Sequence, residues 1–394
     1  MTISQRPRVF AVDLLRGLII AIMALDHTRD FINSSALLFN PEDLSKTTQA
    51  LFFTRWITHF CAPVFAFTAG IGAFLRLERG GSEAELSRFL WTRGLWLVFL
   101  EFTAVRLVFF FGLNYTEHPT FLLVFWMLGI GMIALAALIH LPFRVLAGVS
   151  IAAIVLHNLA DTITPAQFGG YGWIWNLLHQ PGLISTSPVV IVGYPLIPWI
   201  AVMSAGFCFG RVYRLPSDER RRILIRTGLA MTAAFVLIRF ANVYGDLRPW
   251  TSQPAPGFTL LSFLRVTKNP PSLDFLLMTL GPAIAFLGFV DRAQPKSSNP
   301  FIVFGRTPQF FFVMHFVVIH LFAIAMGFAR YGSQPFLWQP SPVIGGAPTY
   351  PPDYGWSLPT TYLVWVAVVA VMYPACLWLA KLKAQRRDWW LSYL

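Results

Sequence analysis

Charge is what this sequence has least of. Only 12% of its 394 residues are Asp, Glu, Lys or Arg, about half the share of a soluble domain. That excludes an ordinary water-covered globule. Cysteine is scarce as well: Cys61, Cys208 and Cys376 are scattered through apolar runs. They form no CxxC pattern and no metal spacing, so they read as small buried hydrophobes. Acids are fewer than bases, 18 against 30, and the net charge is +12. One basic patch would suit nucleic acid. Here the bases instead recur in short clusters between apolar runs, so no nucleic-acid partner is expected. There is no internal repeat and no separate soluble stretch, and residues 1–394 read as a single integral-membrane domain. The N-terminal MTISQRPRVFAVDLLRG has no small-residue cleavage site after its apolar run, so that run reads as a retained helix.

What remains is apolar. Hydrophobic residues make up 56% and aromatics 16%, and the mean hydropathy is +0.60. A spanning helix needs about 20 mostly apolar residues. Ten runs qualify: 10–31, 51–75, 90–112, 120–139, 143–160, 188–211, 223–243, 272–291, 303–328 and 360–380. The expected fold is all-α, a polytopic bundle of about ten spanning helices. Basic residues decide its orientation. With both termini cytoplasmic, each inner segment carries at least one, from Arg6 and Arg8 through Arg76, Arg79, Arg144 and Arg211 to Lys383, Arg386 and Arg387. The outer stretches 113–119 and 161–187 carry none. The long outer loops, rich in Pro, Gly and Trp, are expected to cap an outer vestibule.

Ionisable groups inside such helices cost about 2.5–3.5 kcal/mol each on insertion scales, and they face cavities or pair. Helix one is the most informative. Arg16 and His27 are eleven apart, nearly on one stripe, and about 16 Å apart along the axis. Asp13 is placed to pair with Arg16, and Asp30 to reach Asp26 or His27. A carboxylate beside a histidine orients the ring and stabilises its protonated form, which suits a general base. The competing reading is an interfacial ion network of Asp26, Arg29 and Asp30. His59 is expected at the depth of His27, either assisting it or hydrogen-bonded at the interface. His315 and His320 are about 140° apart on one helix, so at least one is expected to be structural. Arg88 and Arg93 open helix three, as topology signals or as a phosphate-binding pair. Glu101 and Arg106 are candidates for a buried ion pair. Gly305 and Pro308 suit a helix break. Pro270 and Pro271 suit a first helical turn, with Lys268 and Asn269 placed to meet a polar ligand. No two histidines show the i, i+4 spacing of a helical metal site, so no metal is expected.

LRGLIIAIMALDH resembles the first helix of the acyltransferase-3 family, in which an arginine precedes a catalytic histidine by eleven residues. Arg16 and His27 match that pattern. More of the chain resembles a bacterial membrane family grouped with heparan-alpha-glucosaminide N-acetyltransferase. The stretches that carry this are DLLRGLIIAIMALDHTRDF, THFCAPVFAFTAG, TRGLWLVFLEF, NVYGD with TKNPPSLDFLLMTLGP, and FGRTPQFFFVMHFVVIH. The resemblance implies an acyltransferase of the bacterial inner membrane. It would take an acyl group, acetyl first among the candidates, from cytosolic acyl-CoA to a hydroxyl or amine of a sugar or other envelope acceptor. The lysosomal enzyme of animals carries a histidine in the loop after helix one, and residues 32–50 here have none. The implied catalytic set is therefore His27 with Asp26, Asp30 and His59, and Arg16, Arg88 and Arg93 would bind the donor. Asp13, Glu101, Lys268, Asn269, His315 and His320 are further pocket candidates. The expected partners are the bilayer and the acceptor, with a homodimer as a candidate assembly. A proton-coupled transporter or lipid-handling protein is the alternative reading, and a non-catalytic scaffold is a third.

Overall fold

The computed structural model describes residues 9–340, 350–386 and 388–393; Arg6, Arg8 and Arg387 lie outside them. The chain is mostly helical. Its long helices are α1 (Phe10–Ile32), α2 (Gln49–Leu77), α3 (Glu83–Leu100), α4 (Val124–Leu138), α5 (Phe143–Leu156), α6 (Leu196–Phe209), α7 (Ser217–Ala241), α8 (Leu273–Phe289), α9 (Pro308–Tyr331) and α10 (Leu358–Gln385). Each of the ten apolar runs overlaps one of them. Among the described residues, six helical stretches are long and apolar enough to cross a membrane, those built on α2, α5, α6, α7, α9 and α10. The outward faces of α5, α7 and α10 are apolar, with Val149, Leu237, Phe240 and Trp378 exposed. Water does not stabilise such faces and lipid does, so the protein is an integral membrane protein.

Local sequence explains the breaks. Pro63 in α2 has no N–H, and its ring crowds the carbonyl four residues back, at His59. The chain tightens there into a 3-10 turn, Ile57–Phe60, which seats His59 at a kink. α3 runs into a π-helical segment, Glu101–Val105, and a last helical turn, Arg106–Phe110. Before α9 lies a separate short helix, Pro300–Arg306; the chain breaks at Thr307, and Pro308 opens α9. This is the break expected around Gly305 and Pro308. The prolines before α8 behave differently. Ser272 caps that helix, its Oγ accepting from Phe275 N at 3.1 Å, so Pro270 and Pro271 precede the cap instead of forming the first turn.

The fold is not purely helical. A three-stranded sheet forms from β1 (Thr120–Leu122), β2 (Gly182–Thr186) and β3 (Val189–Val192), in the order β1-β3-β2. β1 and β3 are parallel; β2 and β3 are an antiparallel hairpin. The β-branched run VVIV was taken into the sixth apolar run, because a short apolar run does not distinguish strand from helix.

Helix α1 is the axis of the bundle. It packs against α2, α9, α10 and the Pro300–Arg306 helix, and Trp365 of α10 donates to the Ala21 carbonyl at 2.7 Å. Its crossing with the short helix is backbone on backbone. A Cβ at Gly17 would lie 1.7 Å from the Phe301 carbonyl oxygen, and one at Gly305 would lie 1.9 Å from that of Asp13. Gly17→Ala is therefore expected to cost about 3 kcal/mol or more through overpacking. Gly148→Ala, where a Cβ meets nothing within 4 Å, is expected to cost nothing. Thermal unfolding followed by tryptophan fluorescence in detergent compares the two; equal midpoints would refute the close crossing.

Candidate active site

A pocket of about 500 Å³ opens beside the first half of α1. Arg16, Arg76, Arg79, Arg93 and Lys383 line it, with no carboxylate among its lining residues. Arg16 crosses to α2, donating from Nε to Thr68 Oγ1 at 3.0 Å and from Nη2 to the Thr68 carbonyl. Arg93 donates to Gln309 Oε1 at 3.4 Å, and Arg76 lies over the Phe89 ring at 3.9 Å. Two of the three expected donor-binding arginines, Arg16 and Arg93, thus share one wall. Arg88 is exposed and is not among the lining residues. Asp13, one turn before Arg16, lies 3.9 Å from Arg306. The rest of its lining is largely apolar and includes Ile20, Phe125 and Phe312.

The other end of α1 holds the charged stretch ALDHTRDF. Asp26 faces α2. Arg55 Nη1 reaches its two oxygens at 2.8 and 2.7 Å, Thr58 Oγ1 donates to it at 2.9 Å, and Arg29 Nη1 lies at 2.7 Å. Asp30 accepts from Arg29 Nη2 at 2.6 Å. The interfacial ion network is thus the arrangement the structure brings together. It reaches across to α2 through Arg55, four residues before His59 and not singled out from the sequence. Arg29 and Asp26 are both buried, with 3% and 8% of their surface exposed. Removing the anion takes from Arg55 its bonded carboxylate and leaves Arg29 with Asp30 alone, so Asp26→Ala is expected to destabilise the protein by about 3–5 kcal/mol. Asp26→Asn, which keeps an acceptor for Thr58, should cost less. Detergent melting curves read both, and an unchanged Asp26→Ala midpoint would show that the network contributes nothing.

His27 lies between these acids in sequence but turns away from them, toward α9. Its ring is 5.3 Å from the His315 ring and 4.4 Å from that of Phe316, centre to centre. Its Nδ1 is buried without a hydrogen-bond partner, and the residue as a whole is half-buried. His315 is fully buried, with Nδ1 at 3.0 Å from the Phe311 carbonyl. A carbonyl only accepts, so Nδ1 carries the proton and Nε2, itself without a partner, offers a lone pair. His320 packs between the rings of Phe31 and Phe111, each 4.3 Å away. One of the two α9 histidines therefore reaches the site and the other is packing.

Of the histidines expected at this site, the one that meets a carboxylate is His59. Its Nε2 lies 2.8 Å from Glu42 Oε1, which comes from the loop after α1. Burial would raise the Glu42 pKa. The His59 contact and the fields of His59 and Arg55 outweigh this and hold the carboxyl down to about 2. No spacing rule links residues 42 and 59, so Glu42 was not legible in advance.

A loop closes this end. Lys268 is within electrostatic range of Asp26, His27 and His59, and Asn269 Oδ1 is buried without a partner. Asp246 holds the loop: its carboxylate accepts from Thr267 N at 2.6 Å, Thr267 Oγ1 at 2.9 Å and Ser272 Oγ at 2.6 Å. This explains why NVYGD and TKNPPS belong together. Glu101 and Arg106 do not work as the expected pair. Glu101 caps α4, accepting from Leu123, Phe125 and Trp126 N–H groups at 2.8–3.1 Å. Arg106 donates to the carbonyls of Asn114, His118 and Pro119. A helix N-terminus and a row of carbonyls supply the opposite charge that each group needs.

Residues 8–241, more than half of the chain, match the family model described as Heparan-alpha-glucosaminide N-acetyltransferase, catalytic. The chain belongs to that family. No curated protein matches it. The stretch matching the acetyltransferase family runs from α1 through α7 and includes Arg16, Asp26, His27, Glu42, Arg55, His59 and Arg93. Lys268, Asn269, His315 and His320 lie beyond it; the loop before α8 brings Lys268 and Asn269 to the site and α9 brings His315.

Proposed function

We propose that the protein transfers an acyl group, acetyl first among the candidates, from cytosolic acyl-CoA to a hydroxyl or amine of a glycan or other envelope acceptor. It would do so across the bacterial inner membrane, with both chain termini cytoplasmic and ten helices crossing. One observation carries this reading. A single helix, α1, has Arg16 in a pocket of five cations without a carboxylate and, eleven residues on, a histidine with an unbonded ring nitrogen. The phosphates of CoA match the cationic pocket, and the thioester arm would run along α1 from apolar Ile20 toward His27. His27 takes the proton of the acceptor O–H or N–H as the acceptor atom bonds the thioester carbon. The C–S bond breaks, and the CoA thiolate leaves and takes up that proton. The His315 ring, 5.3 Å from that of His27, would position it by packing. Membership of an acetyltransferase family supports the reaction class.

Purified protein in detergent, given acetyl-CoA and an amino-sugar or hydroxyl acceptor, should release CoA thiol and form acetylated acceptor. Absence of thiol release, together with substrate-driven proton flux in liposomes, would instead favour the transporter reading.

A further inference from the structure

The end of the bundle that holds His27 contains a second histidine cluster, which the acyl-transfer reading does not use. His157 ends α5, Asp161 follows in the next turn, and His179 ends the Gly172–Leu178 helix. All three are buried, with 7%, 7% and 1% of their surface exposed. One nitrogen from each histidine and one Asp161 oxygen lie within 4.8 Å of one another. His179 Nε2 is 2.8 Å from Asp161 Oδ1, and the two imidazole rings are 5.7 Å apart. Neither nitrogen of His157 makes a hydrogen bond of normal geometry, although the Pro271 carbonyl acts on the ring as a backbone acceptor. An imidazole buried beside a carboxylate and left unbonded is costly. We propose that His157, Asp161 and His179 bind a divalent transition-metal ion of the zinc class.

The donor set fits. Two imidazoles and a carboxylate suit zinc, with water as the fourth ligand. Around a tetrahedral zinc at about 2.0–2.1 Å the ligand atoms lie about 3.4 Å apart, so the present spread needs only side-chain rotation to close. The surrounding contacts fit too. Asn158 Nδ2 donates to the other Asp161 oxygen at 2.6 Å, which fixes the carboxylate. A ligating histidine ordinarily hands its second N–H to a carbonyl or carboxylate, and Pro271 is placed to take that of His157. Asn158 Oδ1 also accepts from Leu273 N at 2.9 Å. The ion would therefore brace segment 157–179 against the loop carrying Lys268 and Asn269, whatever chemistry occurs at His27. His157 and Asp161 have the i, i+4 spacing, but the rule applied to pairs of histidines misses the group because its second histidine, His179, comes from another helix.

The full chain, purified in detergent with an affinity tag free of histidine, is stripped with chelator, loaded with Zn²⁺ and desalted. About one zinc per chain should remain by mass spectrometry, falling to background in the His157→Ala/His179→Ala protein and staying unchanged in His140→Ala, an exposed histidine elsewhere. The wild type loaded with Co²⁺ should show the intense visible bands of a tetrahedral ion, so the outcome does not hang on the folding of a variant. No retained zinc in the wild type, retention equal in the double variant, or only the weak bands of octahedral Co²⁺ would overturn the proposal and leave a buried hydrogen-bonded cluster.

Discussion

Replacing His27 by alanine is expected to lower acyl transfer by about 10²–10⁴-fold, the usual contribution of a positioned acid–base group. Affinity for the donor should stay within a factor of a few. The reasoning is geometric. Arg16, the pocket cation on the same helix, lies about 16 Å away along α1, and His27 is not among the residues that line the pocket, so deleting the imidazole removes no group from it. The fold should survive as well, since His27 makes ring contacts but its Nδ1 holds no partner. His315→Ala should have a smaller effect, because His315 acts through His27. CoA release at saturating acetyl-CoA, with donor binding measured calorimetrically, reads both quantities. If His27→Ala turns over at the wild-type rate, the base is elsewhere. His59, already paired with Glu42 at 2.8 Å, would then be the group to replace next.

That fallback marks where sequence reasoning ends. The helices were legible because apolar runs of spanning length have few alternatives in a chain with so little charge, and the register of Arg16 and His27 was legible because it lies within one helix. Partnerships between elements were not. Both acids beside His27 looked available to orient it, yet Arg29 and Arg55 occupy them. The carboxylate that does meet a histidine of this site, Glu42, comes from a loop seventeen residues before His59 in sequence. The pocket shows the same limit. Arg76, Arg79 and Lys383 read as topology signals, and only the packing of α2, α3 and α10 around Arg16 turns them into one wall. Arg88, by contrast, sits five residues before Arg93 on α3 and ends on the exposed surface.

The difference between those two arginines gives the second large effect. Arg93→Glu is expected to raise the KM for acyl-CoA by roughly 10²-fold or more. A hydrogen bond to a charged group contributes about 1.5–3 kcal/mol, and each 1.4 kcal/mol is about tenfold in binding. Reversal also sets a carboxylate among Arg16, Arg76 and Arg79, where it engages them in place of phosphate. Turnover at saturating donor should change little, because Arg93 lies at the mouth end of the path and not at the reacting carbonyl. Arg88→Glu makes the same charge change on the same helix and should shift KM by less than about twofold, the size of a screened surface effect. Raising the salt concentration should weaken donor binding to the wild type more than to Arg93→Glu. A KM unchanged from wild type in both variants would mean that the donor's phosphates dock outside this pocket. Equal losses would mean that only the net charge of this end of the bundle matters. Either result would detach the cationic pocket from the chemistry at His27.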